Sequence, residues 1–237
     1  MNKTAYITGG SKGIGLGIAE ALVKEGIHVA ITARTQSDLK VAEKQLKAIG
    51  KGEVLVIQSD VRNLADEERA VQQVLDTWGR LNYCIANAGI GKFSPIDEMS
   101  AEVWNSVVDI NLTGVFNTVK AAIPALKKSK GYIITMSSLA GTNFFAEGAA
   151  YNASKFGVVG FSQAIMLDLR PYEIKVTTIM PGSVATFIDG QTPSEKDAWK
   201  IQPEDIGQMV ADLLRMNPRT LPSKIEVRPA VPPSARK

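Results

Sequence analysis

The sequence predicts an α/β fold: a doubly wound parallel sheet of about seven strands with helices on both faces. Three observations predict it. Short β-type runs alternate with longer segments of helical spacing. The runs are apolar throughout rather than alternating, as strands covered on both faces require. A glycine-rich turn joins the first run to the first helical segment. The predicted strands are Thr4–Thr8, His28–Thr32, Val54–Gln58, Tyr83–Ala86, Tyr132–Met136, Lys175–Ile179 and Lys224–Val227. The helical segments between them are Gly15–Glu25, Ser37–Ile49, Leu64–Trp78, Ala101–Lys127, Ala149–Leu169 and Pro203–Arg215. A helix between successive strands imposes parallel pairing through right-handed crossovers. The 237 residues suffice for one sizeable core, so residues 1–237 are read as a single domain. The Pro-rich polar stretch Pro229–Lys237 is expected to be an extended C-terminal tail, frayed or lying on a partner subunit.

Composition removes several classes of function. Apolar residues make up 45% and charged residues 22%, a globular balance. The 27 basic and 24 acidic residues leave a net charge of +3 without a Lys/Arg run, so no nucleic-acid partner is expected. Cys84 is the one cysteine and His28 the one histidine. Neither a disulfide nor a metal site follows from such a set, and a reducing, cytoplasmic setting fits. The first apolar run is too short and too early for a signal peptide, and no segment is apolar enough to span a bilayer. His28 is read as a loop residue before the second strand, Cys84 as a core thiol, and Met209 and Met216 as packing.

The turn after the first strand reads Thr8-Gly9-Gly10-Ser11-Lys12-Gly13-Ile14-Gly15. Glycines 9, 13 and 15 allow a tight turn and close backbone approach to a pyrophosphate. The following helix offers free N–H groups and a positive dipole end. The second strand ends Ile31-Thr32-Ala33-Arg34-Thr35, without the acid that selects a free ribose 2′-hydroxyl, and Asp38 lies too far into the next helix to be its obvious substitute. Arg34 offers a planar fork for a 2′-phosphate, and Lys12 would face the same group. Tyr151 and Lys155 are spaced i, i+4 and share one helix face. A phenol titrates near ~10, and a cation held beside it favours the phenolate.

The spacing T-G-x-x-x-G-x-G resembles the short-chain dehydrogenase/reductase family. Further motifs carry the resemblance over nearly the whole chain: Asp60-Val61, Asn87-Ala88-Gly89, Asp109-Ile110-Asn111-Leu112-Thr113-Gly114, Ser138, Tyr151-Asn152-Ala153-Ser154-Lys155 and Pro181-Gly182-Ser183-Val184-Ala185-Thr186. The resemblance implies a Rossmann-type, homo-oligomeric oxidoreductase that binds NADP(H). It implies cofactor contacts from Gly9, Ser11, Lys12, Gly13, Ile14, Gly15 and Arg34. Asp60 and Val61 would hold the adenine, and Asn87, Ala88 and Gly89 would lie under a ribose. Lys155 would meet the nicotinamide ribose, Pro181 and Gly182 would turn the chain beneath the ring, and Val184 and Thr186 would meet its carboxamide. Tyr151 would exchange a proton with the reacting oxygen while Ser138 holds that oxygen, and Asn111 would hold a water linking Lys155 to solvent.

An apolar substrate wall is expected from Phe93, Phe144, Phe145 and Phe187, with Trp199 nearby; packing of the loops or a subunit contact is the equal alternative. Phe187–Gln202, with Gly190 and Pro193, could close on the substrate. The helices Ala101–Lys127 and Ala149–Leu169 are expected to pair across a two-fold axis in a homodimer or homotetramer, as in the family. The functional expectation is reduction of a small-molecule carbonyl, or oxidation of a secondary alcohol, with NADP(H). A 3-oxoacyl-(acyl carrier protein) reductase is a narrower alternative, weakened by Ile225-Glu226-Val227-Arg228-Pro229 where many such enzymes carry Gly-Gly. A non-catalytic NADP(H) sensor is an alternative of another class, opposed by the presence of Tyr151 and Lys155.

Overall fold

The computed structural model describes residues 2–235. Its strands are β1 (Thr4–Thr8), β2 (His28–Ala33), β3 (Val54–Gln58), β4 (Tyr83–Ala86), β5 (Tyr132–Met136), β6 (Lys175–Pro181) and β7 (Lys224–Val227). They form one sheet in the order β3-β2-β1-β4-β5-β6-β7, and every pair is parallel. Side chains of a strand alternate between the two faces. Ala5 and Ile7 of β1 accordingly enter one core cluster and Tyr6 the other. The first cluster includes Ile18 and Leu22 of α1 (Gly13–Lys24), Leu39 of α2 (Gln36–Lys47) and Ile206 and Val210 of α7 (Pro203–Arg215). The second includes Val74 of α3 (Leu64–Trp78), Val119 and Leu126 of α5 (Gly114–Ser129) and Val158 of α6 (Ala149–Leu169). Cys84 is fully buried in this second cluster, as expected of a core thiol.

Four expectations need correction. The edge strands β3 and β7 are only partly buried, because each has one neighbour and incomplete helical cover. His28 is not a loop residue. It opens β2, accepts a hydrogen bond at Nδ1 from the Glu53 N–H (2.9 Å), and stacks on Trp78. The tail does not stay extended, since Pro233–Ala235 form a 3₁₀ turn; residues 236–237 lie outside the described residues.

The fourth correction bears on the site. The expected helix Ala101–Lys127 is two helices, α4 (Ala101–Val108) and α5, joined without a break in direction by a π-turn at Asp109–Thr113. The Gly114 N–H donates to the Asp109 carbonyl, closing the wider ring. A π-turn inserts one residue into an α-helix and rotates what it carries. Here Asn111 is fully buried at its centre.

Candidate active site

Ligands of open α/β sheets bind beyond the carboxyl ends of the strands, where the strand order reverses. In this sheet the reversal lies between β1 and β4. A cleft of about 740 Å³ opens there, in the range of sites for whole cofactors. Of the residues singled out from sequence, Gly9, Ser11, Lys12, Gly13, Ile14, Arg34, Asp60, Val61, Asn87, Ala88, Gly89, Tyr151, Lys155, Thr186 and Phe187 line it.

The glycine turn is built against Asn87. Its Nδ2 donates to the carbonyls of Thr8 (2.9 Å) and Gly9 (3.2 Å), and the Thr8 hydroxyl oxygen accepts from the N–H groups of Asn87 and Ala88. Gly9 has φ +64°, and a Cβ there would stand 2.9 Å from the Ala88 Cα. Two requirements, a left-handed backbone and a close approach, thus fall on one residue. Gly15 is buried and does not line the cleft. A Cβ on it would meet the Gly9 carbonyl and Asn87 Nδ2 at 2.6 Å or less. It therefore seats α1 closely on the turn. No side chain caps α1, so its first N–H groups are left for whatever occupies the cleft.

At one end of the cleft stand exposed Lys12 and Arg34, neither in an ion pair among the described residues. Lys12 Nζ lies 5.7 Å from the centre of the Phe187 ring. Asp60 is taken by Arg62, whose Nε and Nη2 both donate to its carboxylate. That bond holds the Asp60 carboxyl below its ordinary range. Among the wall residues absent from the sequence reading, three are charged: Asp38, which lies too far into α2 to be the obvious ribose partner, Arg62 and Lys92. Arg62 had a signal, a base two residues beyond Asp60 in the same turn. Asp38 had one too, since a first-turn residue of α2 points back toward the strand end.

At the other end are Tyr151 and Lys155, 8% and 4% exposed. Lys155 Nζ donates to the Met136 carbonyl (3.0 Å) and lies 5.6 Å from the centre of the Tyr151 ring. Burial lowers the Lys155 ammonium to about 8. Burial also pushes the Tyr151 phenol above its ordinary value, with the Ser138 hydroxyl pulling weakly the other way. The shift is thus upward, set by desolvation, and not the downward one expected from a neighbouring Lys155. The Ser138 Oγ accepts from the Ala140 N–H (3.1 Å) and donates to the Pro181 carbonyl (3.4 Å).

Other residues expected at the ligand also brace the framework. Asn111 Oδ1 accepts from the Ile90 N–H (2.8 Å), while Nδ2 donates to the Ile90 carbonyl (2.9 Å) and Ser154 Oγ (3.2 Å). This amide joins the π-turn to the segment after β4 and to α6. Pro181 is buried at the end of β6, and the Gly182 N–H donates to the Val227 carbonyl. Val184 bridges in parallel to Ile201, which leaves its neighbour Thr186 on the wall. The aromatic wall also differs. Phe144 is 86% exposed, and Phe93 and Phe145 pack edge-on against one another behind the cleft. Phe187 alone of the four lines it. Met209 packs against the first core cluster, whereas Met216 is exposed. Among the described residues no helix is long and apolar enough to cross a membrane.

The cleft therefore fits a phosphorylated dinucleotide: volume, glycine cradle, uncapped helix and unpaired cations agree. Comparison with known proteins agrees as well. The family described as short chain dehydrogenase matches residues 3–197. A trans-4-hydroxycyclohexanecarboxylate dehydrogenase of Sinomonas cyclohexanicum is 33% identical over 83% of this chain and 80% of its own. A putative ketoacyl reductase of Streptomyces coelicolor is 32% identical over 94% of this chain and 87% of its own. The solved structure of an alcohol dehydrogenase from the archaeon Thermococcus sibiricus, complexed with 5-hydroxy-NADP, superposes with a TM-score of 0.92 at 26% identity, covering 100% of this chain and 99% of that one. The chain belongs to the short-chain dehydrogenase/reductase family of oxidoreductases.

Proposed function

We propose that this protein is an NADP(H)-dependent oxidoreductase that interconverts a carbonyl and a secondary alcohol, with Tyr151 as the proton donor and acceptor. One observation carries the reading. Buried Tyr151 and Lys155 share a single cleft with an uncapped glycine turn and two cations that form no ion pair among the described residues. The 5-hydroxy-NADP in the Thermococcus sibiricus structure supports the choice of coenzyme.

The coenzyme, when bound in the cleft, would supply or accept the hydride. Arg34 and Lys12 would pair with its 2′-phosphate, and the N–H groups at the start of α1 would face its pyrophosphate. Asp60 and Val61 would border the adenine, Asn87, Ala88 and Gly89 a ribose, and Thr186 the carboxamide. Lys155 would bond the nicotinamide ribose. The Tyr151 phenol is protonated at neutral pH, since burial raises its pKa. It is thus set to give its proton to the substrate oxygen during reduction. Ser138 holds that oxygen, and the Lys155 ammonium favours the phenolate left behind. A Cβ on Gly89 would stand 3.3 Å from Asn111 Oδ1 and 3.6 Å from Lys155 Nζ. Glycine at this position leaves the gap between them open for returning the proton from solvent.

The test is Tyr151→Phe, assayed by loss of NADPH absorbance with ketones, aldehydes, diketones and 3-oxoacyl thioesters. Turnover should vanish while NADPH still binds. Full turnover in the variant would refute the assignment. Thioesters as the preferred class would favour the narrower 3-oxoacyl reductase reading, with which the putative ketoacyl reductase of Streptomyces coelicolor is consistent. We read the chain as one cytoplasmic catalytic domain that self-associates. Phe116 on α5 and Phe156 and Leu167 on α6 are 45%, 42% and 57% exposed, and pairing of these helices across a two-fold axis would cover them. A solution mass of one 25.5 kDa chain by light scattering would exclude that pairing.

A further inference from the structure

We infer that Phe93 is a positioning residue for Tyr151: it fixes the direction of the phenol without touching substrate or coenzyme. The inference rests on the assignment of Tyr151 above. Phe93 lies off the cleft wall, yet its ring packs edge-on against Tyr151 with centroids 5.4 Å apart and planes at 72°. On its other side it meets Phe145 edge-on at 5.6 Å. Three aromatic rings thus run from the proton donor to the surface, where Phe145 is 49% exposed.

The chain is shaped to hold this row. A Cβ on Gly91 would stand 3.1 Å from Phe93 Cζ, and one on Gly148 would stand 2.7 Å from Phe145 Cε2. Each glycine gives its ring the space a side chain would take. The Ser94 N–H donates to the Glu147 carbonyl (3.0 Å), tying the Phe93 segment to the loop that carries Phe145. Asn152, next to Tyr151 on α6, donates through Nδ2 to the carbonyls of Ala140 and Asn143, both at 2.8 Å. The loop is therefore fixed to the helix that bears the phenol. Ile90, Met99 and Ile188 pack against the small core cluster of Val107, Ala140, Ala150 and Tyr151.

A phenol has one free rotation about its ring axis and another about the bond to the backbone. The Phe93 ring blocks the second on one side, while the Lys155 ammonium faces the Tyr151 ring at 5.6 Å. Reaction depends steeply on such placement, because a misplacement on the order of 1 Å can cost about 100-fold. Phe93→Ala opens a space into which the Tyr151 ring can lean.

The experiment measures kcat and KM for NADPH-linked reduction of one ketone, with NADPH affinity by fluorescence, in Phe93→Ala, Phe93→Leu and Phe93→Tyr. Phe144→Ala, on the neighbouring exposed ring, is the control. Phe93→Ala should lower kcat by about 10-fold or more, with NADPH affinity within about twofold of wild type. Phe93→Tyr, which keeps the ring, should restore most of kcat, and Phe93→Leu should fall between. These variants also secure the result if Phe93→Ala does not fold. A kcat for Phe93→Ala near wild type, a loss shared by Phe144→Ala, or a parallel loss of NADPH affinity would overturn the inference. Tyr151→Phe is run beside them. If it loses turnover while Phe93→Ala does not, only the positioning role fails; if it keeps turnover, the Tyr151 assignment fails as well.

Discussion

The proposed selectivity for a 2′-phosphate should be removable without touching the Tyr151 end of the cleft. The perturbation is Arg34→Ala combined with Lys12→Ala. Both side chains are exposed, and neither is committed to an acid among the described residues. A hydrogen bond to a charged partner contributes about 1.5–3 kcal/mol. Exposure and salt screening place each of these at the lower end, near 1.5 kcal/mol. Each single substitution should therefore weaken NADPH binding about tenfold, since about 1.4 kcal/mol is one decade. The double variant should approach ~100-fold, falling short where the two cations share one phosphate.

NADH, which lacks that phosphate, should bind both forms alike, and the wild-type preference should shrink as salt rises. Arg62→Ala is the internal control. Asp60 already engages its guanidinium, so its charge is neutralised before a ligand arrives. Its removal should change the NADPH-to-NADH ratio little. The assay is fluorescence titration of both coenzymes at low and high salt. An unchanged NADPH affinity in the double variant, or an equal loss for NADH, would refute the reasoning.

Other consequences follow from the same geometry. The Lys155 ammonium, lowered to about 8 by burial, is charged below that pH and neutral above it; kcat/KM for NADPH should therefore fall above about pH 8, and a flat profile to pH 10 would disprove the need for the charge. Glu67 is fully buried, with the hydroxyls of Tyr6, Ser59 and Thr118 at 3.0, 2.7 and 2.8 Å from its carboxyl, and burial raises its pKa. The folded state then keeps a proton the unfolded state has released, so this group removes stability as pH rises from its unfolded value near ~4.3 toward its raised folded one. Glu67→Gln should narrow that loss, so urea midpoints of wild type and variant that differ equally at pH 4 and pH 7 would contradict it. Gly15→Ala should damage coenzyme binding more than Gly13→Ala, although only Gly13 has positive φ (+57°). A Cβ on Gly13 meets Thr186 no closer than 3.4 Å, whereas one on Gly15 drives into the Gly9 carbonyl. The Gly13 variant should cost about 1–2 kcal/mol of backbone strain, and the reverse order of NADPH affinities would count against the account.

The sheet was legible because its signals are local. A parallel strand covered on both faces must be apolar along its length, and a phosphate-binding turn must carry glycine. Both requirements appear within a few consecutive residues. Edge exposure of β3 and β7 was not legible, since it depends on strand order rather than on the strand's own residues. The direction of the Tyr151 shift was not legible for a related reason. The i, i+4 spacing reveals the neighbouring cation, but not the burial that raises the phenol's pKa.

The π-turn shows where a local reading stops. The apolar spacing of Ala101–Lys127 stays helical across Gly114 and Pro124, so one helix is the economical expectation. What interrupts it lies elsewhere in the chain: the N–H and carbonyl of Ile90, which the Asn111 amide satisfies together. A fully buried amide left unpaired costs more than one distorted helical turn. The fold therefore accepts an extra residue in the helix to bring that amide inward. The same trade explains Gly15 and Asn87. Their motifs accompany ligands, which makes both expected contacts; in the fold Gly15 supports the glycine turn, and Asn87, on the wall, spends its amide on the same support. Motif spacing thus locates the apparatus around a site. Which member touches the ligand is decided by where each side chain's hydrogen bonds are already spent, and that is visible only when the strands are side by side.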